Sequence, residues 1–161
     1  MIEIQMNKTE LAEAKKQAKE MGNIEHSITK GQGNIAGFLA ELAVAKHYGA
    51  TQKNTYNYDL VMPNGTTIDV KAKRTTVKPR PYYECSVAAY NTKQNCDYYS
   101  FCRVSNDMDI VWLLGTIKKE EYLDKSEKKT KGDVDPSNNF IFKADCYNLK
   151  ISDLPPLSKT L

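Results

Sequence analysis

Four side chains in this sequence have types and spacings suited to chemistry on a charged substrate: Glu41, Asp59, Asp69 and Lys71. Three of them fall in the stretch from Tyr58 to Arg74, YDLVMPNGTTIDVKAKR, whose turn residues decide which side chains share a face. Pro63-Asn64-Gly65 after Met62 favours a three-residue hairpin loop, a type I turn with Pro63 second and Gly65 left-handed. Met62 then pairs with Thr66, Leu60 faces Ile68, and Asp59 faces Asp69. Tyr58, Leu60, Met62, Ile68, Val70 and Ala72 make one apolar side, leaving Asp59, Val61, Thr67, Asp69, Lys71 and Lys73 on the other. A two-residue Asn-Gly turn would shift the pairing by one and send one of the two aspartates into the core. The apolar pattern rejects it.

Directly opposed carboxylates repel, so Asp59 and Asp69 are costly neighbours unless a cation or a shared proton relieves them. Lys71, two residues on and on the same face, supplies part of that relief. A hard divalent ion with oxygen ligands, Mg²⁺ or Mn²⁺, would supply the rest. The plain alternative is a solvated strand face on which acids and lysines pair loosely. Glu41 bears on the choice. Its helical neighbours are Gly37, Phe38, Val44 and Ala45, so its own helix offers no basic partner. An unpaired carboxylate among apolar residues must reach solvent, pair across the fold, or join a metal site.

The elements that must position these groups follow from periodicity and punctuation. Asn7, with Glu10 three residues later, marks a capping box opening a first amphipathic helix through Leu11, Ala14, Ala18 and Met21 to Gly22. After a polar segment, 23–32, a second helix is expected from Gly33 or Asn34 to Tyr48, closed by Gly49. Strands are expected over 57–62, 66–73 and 82–89 as a three-stranded meander, then over 97–104 and 110–115. A short helix is expected near 91–95 and a mixed-charge exposed helix over 118–129. Residues 130–139 read as a loop, 140–142 as a short strand, and 151–161 as an extended tail.

Composition excludes several classes. The chain has 161 residues, 40% apolar and 27% charged, as in an ordinary globular protein, and its length suits one domain. No long uncharged apolar run suggests a membrane span, and the start MIEIQMNKTELAE lacks a secretory pattern, so a cytoplasmic location is expected. Cys85, Cys96, Cys102 and Cys146 contain no C-x-x-C pair, and His26 and His47 are the sole histidines, which argues against a zinc finger. Gly31, Gly33 and Gly37 miss the dinucleotide spacing, and no nucleotide-phosphate loop is present, so no nucleotide cofactor is expected. The net charge of +3 is small. Its distribution is uneven, because Lys71, Lys73, Arg74, Lys78 and Arg80 follow one another with no intervening acid. Such a run suits contacts to phosphates, or it is a basic loop without a partner.

An acid on an apolar helix, then Asp59, then Asp69-Val70-Lys71 across a hairpin resembles the signature of the PD-(D/E)XK nuclease superfamily, which includes restriction endonucleases and Holliday junction resolvases. The resemblance spans 33–104. It implies an α/β, restriction endonuclease-like αβββαβ core with a central mixed β-sheet flanked by helices. Residues 1–32 would then be an N-terminal helix and connection, and 105–161 additional strands, a helix and a tail. Tyr58 stands where the family often has proline, and Asp69 where Glu is common. The resemblance implies Mg²⁺, with Mn²⁺ as substitute, held by Asp59, Asp69, Glu41 and the carbonyl of Val70, and Lys71 beside the attacking water. It implies hydrolysis of DNA to a 5′-phosphate and 3′-hydroxyl, with Lys73, Arg74, Lys78 and Arg80 on the nucleic acid. The small size favours structure-selective cleavage by a homodimer. The alternative is a catalytically silent, nuclease-derived binding module.

Overall fold

The computed structural model describes residues 1–21 and 32–161, with residues 32–34 described as backbone. The expected polar segment 23–32, His26 and the helix-entry glycine Gly31 lie outside the described residues, apart from Gln32. Strand β1, Ile2–Gln5, leads into helix α1, Lys8–Met21. The capping box forms as its sequence requires: the Asn7 side chain accepts the Glu10 N–H at 2.8 Å and Glu10 accepts the Asn7 N–H at 2.7 Å. Helix α2, Gln32–Tyr48, ends at Gly49, whose φ of 66° closes the helix in the left-handed region.

Five strands, two of them short, then build most of the main sheet. These are β2, Thr51–Gln52; β3, Leu60–Val61; β4, Thr67–Thr75; β6, Tyr98–Ser105; and β7, Ile110–Lys118. The order is β1-β7-β6-β4-β3-β2, antiparallel at every junction except β4 with β6, which run parallel. The chain is therefore α/β with a mixed sheet. Helices α1 and α2 cover one face, where Ala14, Phe38, Leu39, Ala43 and Val44 meet Leu60, Ile68, Cys102, Val104, Val111 and Leu113. The alternation of β-strand side chains sends Tyr99, Phe101, Trp112 and Leu114 to the opposite face.

That second face is covered by a smaller sheet. Strands β5, Glu84–Ala88; β8, Glu127–Lys129; and β9, Cys146–Lys150, pair in the order β5-β9-β8. Here the expected meander is corrected. The segment 82–89 does form a strand, but it pairs with β9 rather than β4, because Cys85 and Val87 are buried in the second core beside Tyr99 and Phe101. The three-stranded antiparallel unit that exists is β2-β3-β4, one strand earlier in the chain. The expected short helix is a 3-10 turn over Ala89–Lys93. The expected exposed helix over 118–129 is shorter, α3 at Lys119–Lys125, and it is anchored rather than exposed. Tyr122 is fully buried, its hydroxyl within hydrogen-bonding distance of the carbonyls of Cys85 and Tyr147, at 3.0 and 2.6 Å. The segment 140–142 makes only an isolated bridge, between Val134 and Ile141. Among the described residues, no helix is long and apolar enough to cross a membrane.

Candidate active site

The hairpin adopts the register its turn dictates. Gly65 has φ 87°, its N–H donates to the Met62 carbonyl at 2.9 Å, and the Met62 N–H donates to Thr66 at 2.8 Å. Leu60 pairs with Ile68 and Val61 with Thr67. Asp59 lies at a bend just before β3, outside the paired residues, and is tied to β4 by both backbone and side chain: its N–H donates to the Ile68 carbonyl at 3.0 Å, and its Oδ2 accepts the Val70 N–H at 2.7 Å. Beyond it the chain folds back, the N–H groups of Lys53 and Asn54 donating to the Asp59 carbonyl. Asp59 is thus fixed where β3 leaves the sheet, which sets its carboxylate against β4 beside Asp69.

Asp69 is 4% exposed and Glu41 8%, both in the category that proteins rarely bury without a partner. Of the fates open to Glu41, solvent is excluded by this burial. Ion pairing is absent too: among the described residues no cation stands within salt-bridge distance of it. Its one hydrogen bond comes from a neutral group, the Gln52 amide, at 3.0 Å. Gln52 is in turn held by Gln17 of α1 at 3.0 Å. Burial, with the charge of Asp69 adding and the Gln52 hydrogen bond opposing, pushes the Glu41 carboxyl up to about 7. Asp59 is pushed up to about 8 by burial first and then by the charges of Glu41 and Asp69, against the lowering effect of the Val70 N–H. Three acids from α2, the bend before β3, and β4 therefore crowd one another.

Lys71 Nζ lies 2.7 Å from Asp69 Oδ2. That buried oxygen is held by this ion pair, with no hydrogen bond to it among the described residues. The same ammonium makes a long contact, 3.5 Å, to Gln94 Oε1. Gln94 is itself positioned, its amide donating to the Tyr56 carbonyl at 2.6 Å, while Lys119 Nζ donates to the carbonyls of Thr92 and Gln94. Mutually repelling oxygen donors with a single ammonium among them suit a hard divalent ion. Among the described residues, no three His, Cys, Asp or Glu side chains are gathered into a ready ligand cluster, so the three acids would have to draw closer around an ion.

The basic run divides. Lys73 turns toward the second sheet, its Nζ donating to Ser86 Oγ at 3.1 Å. Arg74 Nη2 donates to the Asn106 carbonyl at 3.3 Å. Lys78 lies 3.8 Å from Glu3 of β1, and Glu3 also accepts the Trp112 indole N–H at 3.0 Å. Lys78 and exposed Arg80 line a shallow groove with Val77, Pro79, Tyr82 and Tyr83. His47, near the end of α2, has its Nε2 3.1 Å from the Ser158 carbonyl in the tail. Sequence reasoning missed Gln52 and Gln94. Both are polar residues outside any motif, and nothing short of the folded contacts marks them.

Set against models of protein families and against curated proteins, the chain matches none.

Proposed function

We propose that the protein is a metal-dependent DNA endonuclease of PD-(D/E)XK type. The observation that carries this reading is the crowding of buried Glu41, Asp59 and Asp69 beside Lys71, an arrangement that is costly without a cation. The order of elements supports it: helix α2 bearing Glu41, the antiparallel unit β2-β3-β4, a 3-10 turn, and β6 parallel to β4 follow the αβββαβ sequence of that superfamily, with β5 inserted before the 3-10 turn.

Asp59, Asp69 and Glu41 would hold Mg²⁺ or Mn²⁺, with the Val70 carbonyl as a further donor. The bound ion would polarise a phosphodiester oxygen and lower the pKa of a water. The chain's own residues do the rest. The Val70 N–H fixes the Asp59 carboxylate in one rotamer. Asp69 and Gln94 hold the Lys71 ammonium at the edge of the acid cluster, where its charge stabilises a hydroxide and the negative charge that develops on phosphorus oxygens. The reading favours structure-selective cleavage, with a homodimer presenting two sites to two strands. All four cysteines are free, which fits work in a reducing compartment.

The test is cleavage of labelled duplex, single-stranded and four-way-junction DNA in Mg²⁺, Mn²⁺ or EDTA. Metal-dependent cutting is expected, with a loss of at least 100-fold in Lys71→Ala, the scale of a lost electrostatic stabiliser. Asp69→Ala should abolish cutting while leaving DNA binding in Ca²⁺ nearly intact. Cutting that persists in EDTA or survives Asp69→Ala would overturn the reading.

A further inference from the structure

A half-closed cleft of about 260 Å³ lies between the main sheet and β5, its lining including Lys71, Lys73, Glu84, Ser86 and Arg103. That is several times the ~30 Å³ share of one water. Lys73 and Arg103 are direct partners across the parallel β4–β6 ladder, on strands that run about 4.8 Å apart. Like charges so placed repel. No carboxylate among the described residues comes within ion-pair distance of either one. Lys73 has a neutral partner, Ser86 Oγ at 3.1 Å. Arg103 Nη2 donates to the Glu84 carbonyl at 3.0 Å, and its guanidinium lies 5.9 Å from the centre of the Tyr83 ring. The one acid in the lining, Glu84, has its Oε2 engaged by the Asn148 amide at 2.7 Å. Partial desolvation lowers the pKa of both cations, and for Lys73, whose side chain still reaches solvent, the neighbouring Arg103 lowers it further while Cys85, Cys146 and Glu84 oppose.

We propose that Lys73 and Arg103 form a phosphate-binding site, adjoining Lys71 in the cleft between the two sheets. This rests on the nuclease reading for its biological ligand, a phosphate of the nucleic-acid strand being cut. A phosphate group brings negative charge to two cations that have no ion-pair partner among the described residues, and acceptor oxygens for the guanidinium N–H groups not engaged by the Glu84 carbonyl. Lys71 and Lys73 are two residues apart on β4, about 6.6 Å along the strand. That is comparable to the spacing of successive phosphates, so a strand with its scissile phosphate at Lys71 would carry the next one into the cleft. Arg103 lies outside the basic run and thirty residues past the hairpin, where only the parallel pairing brings it to the site.

The probe is a labelled single-stranded oligonucleotide, bound in Ca²⁺ over a range of salt, with inorganic phosphate as competitor. Lys73→Met and Arg103→Met, each verified as folded by circular dichroism, should weaken binding about tenfold and lower the slope of log K against log salt by about 0.7 per lost contact. Arg103→Lys should restore most of the affinity, which a purely structural role for the guanidinium would not allow. Tighter binding of a 5′-phosphorylated strand than of its 5′-hydroxyl form would assign the cleft to a terminal phosphate; equal binding assigns it to an internal one. Inorganic phosphate that raises the melting temperature of the wild type but not of Arg103→Met, without competing with oligonucleotide, would assign it to free phosphate. Unchanged affinity and salt slope in both methionine variants would overturn the site. That outcome leaves cleavage and its loss in Lys71→Ala untouched, whereas a wild type that binds through Arg103 but never cuts keeps the site and removes the nuclease.

Discussion

Glu41 and Asp59 share one difficulty: burial strips the water that stabilises a carboxylate, and each then faces other acids. A carboxyl whose folded-state pKa is raised holds its proton in the folded protein after the unfolded chain has released it. Folding therefore loses stability as pH climbs from the unfolded value near ~4 through the folded values of about 7 and about 8. Metal-free protein in EDTA should accordingly melt at lower temperature at pH 8.5 than at pH 6. Asp59→Asn should flatten this dependence and raise the melting temperature at pH 8 by a few degrees, since about 1 kcal/mol corresponds to roughly 2–4 °C at this size. It should also abolish cleavage. Mg²⁺ at pH 8 should raise the melting temperature of the wild type and do so far less in the variant. A variant that melts lower at pH 8 and keeps the full slope would show that the Asp59 charge is not resisted by its surroundings. At this scale the sequence was legible where the chemistry is local. Pro63 and Gly65 set the register that pairs Leu60 with Ile68, and Asp59, at the bend just before it, lies close enough to Asp69 for their charges to interact. Gln52 and Gln94 were not legible, because their importance comes from contacts with Glu41 and Lys71 that only the tertiary fold creates.

At the level of elements, the helices and the long strands β4, β6 and β7 follow from cap, period and turn signals, and they stand near their expected positions. Segment 82–89 shows the limit of such reasoning. Its alternation specifies a strand with one buried face, yet alternation does not name the partner strand. The core decides that: Cys85 and Val87 belong with Tyr99, Phe101 and Tyr122, which places β5 over the main sheet rather than in it. Strand β9 escaped notice for a related reason, since Cys146–Lys150 is short and polar and gains its regularity from two flanking partners. The tail makes a further contact that no periodicity announces. Gly115 of β7 faces Leu154, and a Cβ added at Gly115 would lie 2.8 Å from the Leu154 Cβ and Cδ1. Gly115→Ala should thus force the tail off the second core and destabilise the protein by about 1–3 kcal/mol, the usual scale of overpacking. Denaturant unfolding measures this. A change below about 0.5 kcal/mol would mean that residues 154–161 yield without resistance. Cleavage per folded molecule should be unchanged, because Gly115 touches none of Glu41, Asp59, Asp69 or Lys71.

For the whole molecule the proposed function raises the question of how a net charge of only +3 would hold a polyanion. The answer must lie in placement, and the folded chain sets two groups of cations near the proposed path. Lys71, Lys73 and Arg103 open onto one cleft beside the acids, while Lys78 and Arg80 line a groove with Tyr82 and Tyr83 farther along the chain. Lys78 is loosely matched by Glu3 at 3.8 Å, an exposed pair of little energetic weight that a phosphate could displace. If a duplex or junction arm passes from the acid cluster across this loop, Lys78 and Arg80 supply affinity that is independent of sequence and steeply dependent on salt. Neutralising both, as Lys78→Gln with Arg80→Gln, should weaken binding of a duplex in Ca²⁺ and flatten the log–log salt slope by nearly 2 for two lost phosphate contacts. Binding of a short single strand that ends at the cleft should change little, because it does not reach the loop. Titration by fluorescence anisotropy at several salt concentrations reads both quantities. An unchanged slope on duplex would remove the loop from the interface and leave the cleft cations as the principal electrostatic contact, which would restrict the substrate to strands that thread past Lys71.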